Sequence, residues 1–127
     1  MERAIQEFAA VCFFIVGMSH ILQPRAWVHF FVMLRGLGEP GSFVNALLTL
    51  PMGVGIVVFH NVWRGIPTLL TLLGWAYVLK SLLYLVYPLA GVRSLSRVSV
   101  ETANRFVAAG VVLVGLSGLL ALSLIKR

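Results

Sequence analysis

Four long stretches without a formal charge constrain this chain more than any other feature: Phe8 to Pro24, Pro40 to Trp63, Gly65 to Val92 with Lys80 as its one interruption, and Phe106 to Ile125. Each is about 17 residues or longer, which at about 1.5 Å per residue crosses a hydrocarbon layer about 30 Å thick. The stretches are continuously apolar, whereas barrel strands alternate and run to only about 10 residues. The expected fold is therefore all-α: an integral membrane four-transmembrane-helix bundle, one domain over residues 1–127, with spans near 6–23, 42–60, 67–87 and 104–125. Composition argues against a soluble bundle, since 11% of the residues are charged against about 25% in an average soluble domain. After the first stretch, "GMSHILQPRAW" offers no small-x-small cleavage pattern, so the stretch is read as a span and not as a removable signal.

The net charge of +6 does not indicate nucleic acid, because the basic residues are dispersed at the ends of the apolar stretches, where headgroup phosphates would meet them. Arg25, Arg35, Arg93, Arg97 and Arg105 fall on one side, and Arg3, Arg64, Lys126 and Arg127 on the other. That small excess places the two longer connectors on the cytoplasmic face of a bacterial inner membrane. Cys12 is the single cysteine and lies inside the first span, so no internal disulfide and no zinc or redox spacing exists.

The connectors follow a pattern that recurs. The first span stops at Pro24, and "RAWVHFFVMLRG" then sets Trp27, Phe30, Phe31 and Leu34 on one helical face and Arg25, His29 and Met33 on the other. This reads as an amphipathic interfacial helix over about residues 25–35, returned to the membrane by "GLGEPGS". The third span stops at Pro88 and leads into the basic linker "LAGVRSLSRVSVETANR", with Ser99 as N-cap of the last helix. The second and third spans are joined only by a short turn, about Asn61 to Ile66, with Pro67 opening the next helix. The chain thus reads as two tandem helical-hairpin units related by an axis along the membrane normal.

Candidate chemistry concentrates at one depth. Counted by helical rise, Ser19, His20, Asn45, Lys80, Tyr84 and Asn104 fall in one band towards the longer connectors. Lys80 is the only charge deep in a span, at an insertion cost of about 2.5–3.5 kcal/mol. Three readings stand: it snorkels among Tyr77, Tyr84 and Tyr87, it contacts an anion or other ligand together with His20, Asn45 and Tyr84, or it takes part in catalysis. The acids are Glu2, Glu7, Glu39 and Glu101, all near span ends, and aspartate is absent. This argues against paired-carboxylate catalysis, a carboxylate-driven pump and a metal site, so no catalytic residue and no metal ligand is assigned.

In the second span Pro51 removes a backbone donor, with Gly53 and Gly55 just beyond it, which reads either as a hinge or as ordinary close packing. His60 and Asn61 are read as turn residues, Asn61 satisfying freed backbone groups, with Trp63 and Trp75 as interface anchors. In the last span Gly110, Ser117, Gly118 and Ala121 form a small-residue packing stripe. Four short helices leave little interior volume, so a binding cavity is expected between protomers of a homo-oligomer.

With these residues in place, "GMSHILQPRAW" resembles the small bacterial inner-membrane proteins of the YjeT kind. The central "FHNVW" and "TLLTLLGWAYVLKSLLYLVYP" resemble uncharacterised bacterial four-helix membrane proteins with an HN-x-W turn, a GW pair and a lysine in the third helix, matched here by His60, Asn61, Trp63, Gly74, Trp75 and Lys80. No activity comes with either resemblance. Gly17, His20 and Pro24 are also similar to the first helix of DoxX-like proteins, some of which serve quinone-linked oxidation, but the glutamate of their second helix is missing here.

Three functions follow as expectations. The first is an oligomeric, non-enzymatic membrane protein that passes or binds a small ion or amphiphile. The second is an accessory or assembly subunit of a larger membrane complex, docked through the small-residue stripe. The third, implied by the DoxX-like resemblance, is a quinone-linked redox subunit. Membrane lipids are expected partners, nucleic acid is not, and the only cofactor-like occupants such a chain would hold are a lipid or a quinone.

Overall fold

A computed structural model describes residues 1–126; Arg127, counted above among the terminal charges, lies outside the described residues. The described chain is helical throughout, without a strand: α1 (Glu2–Leu22), α2 (Pro24–Gly36), α3 (Glu39–Phe59), α4 (Pro67–Val86), α5 (Pro88–Leu95), a single 3-10 turn at Val100–Thr102, and α6 (Asn104–Ile125). Four of these, α1, α3, α4 and α6, are long and apolar enough to cross a membrane.

Prolines set the breaks. A residue before proline is pushed out of the helical region, and Gln23 adopts φ −129°, ψ 51° ahead of Pro24 while Tyr87 adopts φ −130°, ψ 79° ahead of Pro88. Both prolines then open a helix, at the position where the missing N–H costs nothing. The α2–α3 and α3–α4 turns use Gly38 at φ 68° and Gly65 at φ 66°, a region open to glycine but strained for other residues.

The long helices pack as two antiparallel pairs, α1 with α6 and α3 with α4. Small residues let the backbones approach. A Cβ on Gly17 would lie 2.9 Å from the Gly110 carbonyl oxygen, and one on Gly74 would lie 2.7 Å from Ile56 Cβ. Ser117 and Ser81 do the same with an added bond, donating to the carbonyls of Ala10 (2.6 Å) and Ala46 (3.1 Å) in the facing helix. These contacts recur in register. The interval from Pro24 to Pro88 also carries Ala10 to Gly74, Gly17 to Ser81, Ala46 to Gly110 and Gly53 to Ser117. One pair closes through Gly17 with Gly110 and Ala10 with Ser117; the other closes through Ser81 with Ala46 and Gly74 with Gly53.

Between the pairs, the two halves of the bundle differ. Where α1 and α4 begin and α3 and α6 end, Ala9, Phe13, Ile56, Leu70 and Leu120 form a closed apolar core. The other half, under α2, is open. Polar side chains share the interior with this core, Gln6, Ser42, Asn45, His60, Thr71, Ser81 and Ser117 being buried, while large apolar side chains such as Val58, Leu79, Val86, Val112 and Ile125 stand exposed.

Several expectations change. The linker after Pro88 contains a helix, α5, whose Gly91 is held against Ser42 of α3. Ser99 does not cap the last span directly: it forms a capping box with Thr102 on the 3-10 turn, and Ala103 leads into α6. The small-residue stripe divides, with Gly110 and Ser117 buried against α1 while Gly118 and Ala121 face outward. α3 runs unbroken through the exposed Pro51, Gly53 is a packing glycine against Tyr77 and Val78 of α4, and Gly55 has open space around it.

Candidate ligand site

A cavity of about 810 Å³ opens between the two helix pairs, lined by residues of α1, α2, α3, α4 and α6. The thin bundle thus holds its cavity within one chain. The expectation of a cavity between protomers treated the helices as one tight cluster; glycine and serine instead draw them into pairs, and the gap falls between the pairs.

Most of the lining is apolar, and the polar groups come mainly from one pair. Lys80 Nζ donates to Asn45 Oδ1 at 3.2 Å, joining α4 to α3, and lies 5.7 Å from the centre of the Tyr84 ring. One turn further along α3, Thr49 and Ser81 lie 3.1 Å apart and both reach the Ala46 carbonyl. The facing wall is apolar at corresponding places: the Pro24-to-Pro88 interval carries Val16 to Lys80, Asn45 to Ala109 and Thr49 to Leu113, and all six line the cavity. The site is therefore two-sided at this depth, with a hydrogen-bonding wall on α3 and α4 facing the apolar Val16, Ala109 and Leu113 of α1 and α6, while Ser19 and His20 of α1 lie at the open end.

His20 and α2 complete the open end. His20 Nδ1 lies 2.8 Å from the Val16 carbonyl, which can only accept, so this nitrogen carries a proton. The ring stacks on Trp27 at 4.2 Å, and Trp27 donates its indole N–H to Ser19 at 2.9 Å. Phe30 and Phe31 sit 5.4 Å apart beside it, and Phe31 stacks on Phe106 of α6 at 5.5 Å. The apolar face of α2 thus covers the cavity, while Arg25, His29 and Met33 remain exposed. Beyond these rings, α2 is held by the buried Val28 and Leu34 and by Arg35, which donates to the Val98 carbonyl at 2.9 Å.

Ser19, His20, Asn45 and Lys80 are brought to one cavity, as their shared depth implied. Tyr84 braces Lys80 without lining the cavity, and Asn104 lies exposed and away from it. Compared with family models, curated proteins and solved structures, the chain matches none. The site must speak for itself.

His60 belongs elsewhere, and not as a simple turn residue. It is fully buried, 2.9 Å from Gln6 Nε2 of α1 and 3.3 Å from Thr71 Oγ1 of α4. Thr71 also donates to the Val62 carbonyl (2.7 Å) and accepts the Val62 N–H (3.1 Å). The group ties α1 to the α3–α4 turn at the closed end. Asn61 does not serve freed backbone groups: its Oδ1 accepts the indole N–H groups of Trp63 (3.0 Å) and Trp75 (3.5 Å). Asn61→Ala is expected to cost about 0.5–1.5 kcal/mol and to change the near-ultraviolet dichroism of the tryptophans. An unaltered spectrum would mean that Asn61 does not hold the indoles.

Proposed function

We propose that this chain is a multi-pass membrane protein, a tandem repeat of two helical-hairpin units, that holds a small amphiphile in the cavity between its helix pairs. The observation that carries the reading is the cavity's two-sided lining: an apolar wall beside Lys80, Asn45 and Thr49 matches a molecule with an apolar body and one polar end. Membrane residence is supported by the many large apolar side chains that stand exposed, since a surface as apolar as this one aggregates in water and is at home in lipid. Binding is favoured over passage of an ion, because the core around Phe13, Ile56 and Leu70 closes the other half of the bundle. Repetition is supported by helix contacts that recur at the interval set by Pro24 and Pro88. The clustering of Arg25, Arg35, Arg93, Arg97 and Arg105 at the α2–α5 end favours that end as the cytoplasmic one.

A second reading, docking into a larger membrane complex, has one observation in its favour: Gly115 and Gly118 leave open space on the outer face of α6. Native mass spectrometry of protein released from its own membrane separates the two. The amphiphile reading expects a retained small molecule, a lipid or quinone among the classes, and expects Ala109→Trp, which fills the smooth wall, to release most of it. Wild-type protein that is empty, or attached to a different protein, would favour docking.

A further inference from the structure

The cavity holds a cation with no anion. Among the described residues the one ion pair is Arg3 with Glu7, on the exposed surface of α1 near its start, and none of the four glutamates lines the cavity. Lys80 meets an amide oxygen, Asn45 Oδ1, and the face of a phenol ring. Neither carries a formal charge. An ammonium has three protons to donate, and the bond to Asn45 uses one. Within a low-dielectric span a lone charge is costly, and pairing it with an opposite charge is the arrangement by which such residues are retained.

We propose that the cavity takes a single-chain amphiphile with one negative charge, a fatty-acid-like carboxylate, its headgroup on Lys80 and Asn45 and its chain along the Val16, Ala109 and Leu113 wall. The proposal rests on the amphiphile reading given above and names the class of ligand. Charge selects the headgroup, since one cation with an adjoining amide suits a monoanion. Size selects the chain number: cavities of about 300–1,000 Å³ suit drug-sized molecules, and at about 810 Å³ this one suits one alkyl chain in preference to a two-chain phospholipid. The Val16, Ala109, Val112 and Leu113 side chains offer that chain an apolar path on which no polar group is desolvated.

The test uses the full chain in phosphatidylcholine nanodiscs, photolabelled with a diazirine-bearing long-chain fatty acid or with the matching fatty alcohol, the labelled residues being mapped in each case. In the wild type the acid is expected to label cavity residues about tenfold more than the alcohol, the advantage a charge-assisted hydrogen bond confers. Lys80→Met is expected to abolish the advantage of the acid over the alcohol, while helix content and elution volume report that the variant is folded. Equal labelling by acid and alcohol in the wild type would overturn the anion proposal and leave the amphiphile reading intact. Displacement of the label by phosphatidic acid but not by unlabelled fatty acid would overturn it too. Absence of both labels from the cavity would remove the amphiphile reading itself.

Discussion

Gly74→Leu is expected to be among the most damaging substitutions in this chain. A Cβ at Gly74 already falls 2.7 Å from Ile56 Cβ, and on the facing helix a Cβ at Gly53 falls 3.2 Å from the Gly74 carbonyl oxygen. A leucine must therefore push α3 away from α4, and overpacking of this kind costs about 1–3 kcal/mol or more. Van der Waals fit between small residues is the main force holding membrane helices together, so little else compensates for the separation. The same change at Gly118, around which nothing lies within 4 Å, is the control and is expected to stay within about 0.5 kcal/mol of wild type. Unfolding by steric trapping in bicelles reads both. Equal losses at the two positions would mean that α3 and α4 do not meet at Gly74.

His60→Ala is expected to be of comparable severity for a different reason. The ring is fully buried between Gln6 and Thr71, so truncation opens a cavity and strips a partner from a buried amide. An unsatisfied buried polar group alone costs about 1–3 kcal/mol, and the cavity adds to it, for an expected total of about 2–4 kcal/mol. Because Gln6 lies on α1 and Thr71 on α4, the loss falls on the join between the two helix pairs. Steric trapping in bicelles and crosslinking of cysteines placed on α1 and α4, on the wild-type and variant backgrounds, would report it as a fall in stability and yield. A variant as stable as wild type, with undiminished crosslinking, would show that the join does not depend on His60.

The boundaries of the long helices were legible because each is written locally: a charge, a proline or a glycine stands at nearly every end, and the helices begin and stop within a few residues of those marks. The grouping of His20, Asn45 and Lys80 was legible for a similar reason, since rise along a helix converts sequence position into depth. Depth does not say which helices are neighbours. The pairing of α1 with α6 and α3 with α4 depends on contacts between residues far apart in the chain, and the cavity exists only because of it. For the same reason Gln6 and Thr71 were missed as partners of His60: each is an isolated polar residue whose meaning depends on a neighbour from another helix. The sequence did carry one signal that went unused. At the interval from Pro24 to Pro88, Gly17 corresponds to Ser81, Ala46 to Gly110 and Gly53 to Ser117, all small, and that correspondence marks the packing positions. α5 was hidden by its brevity, because "PLAGVRSL" is too short to show a periodic face.

The most direct test of the central claim is an electron cryomicroscopy map of the protein in lipid nanodiscs, with a bound antibody fragment for alignment. The account predicts two antiparallel helix pairs with an elongated non-protein density between them, one end within hydrogen-bonding reach of Lys80 Nζ and the body against Val16 and Ala109. Helix pairs closed upon each other, or a gap between them holding only water, would contradict it.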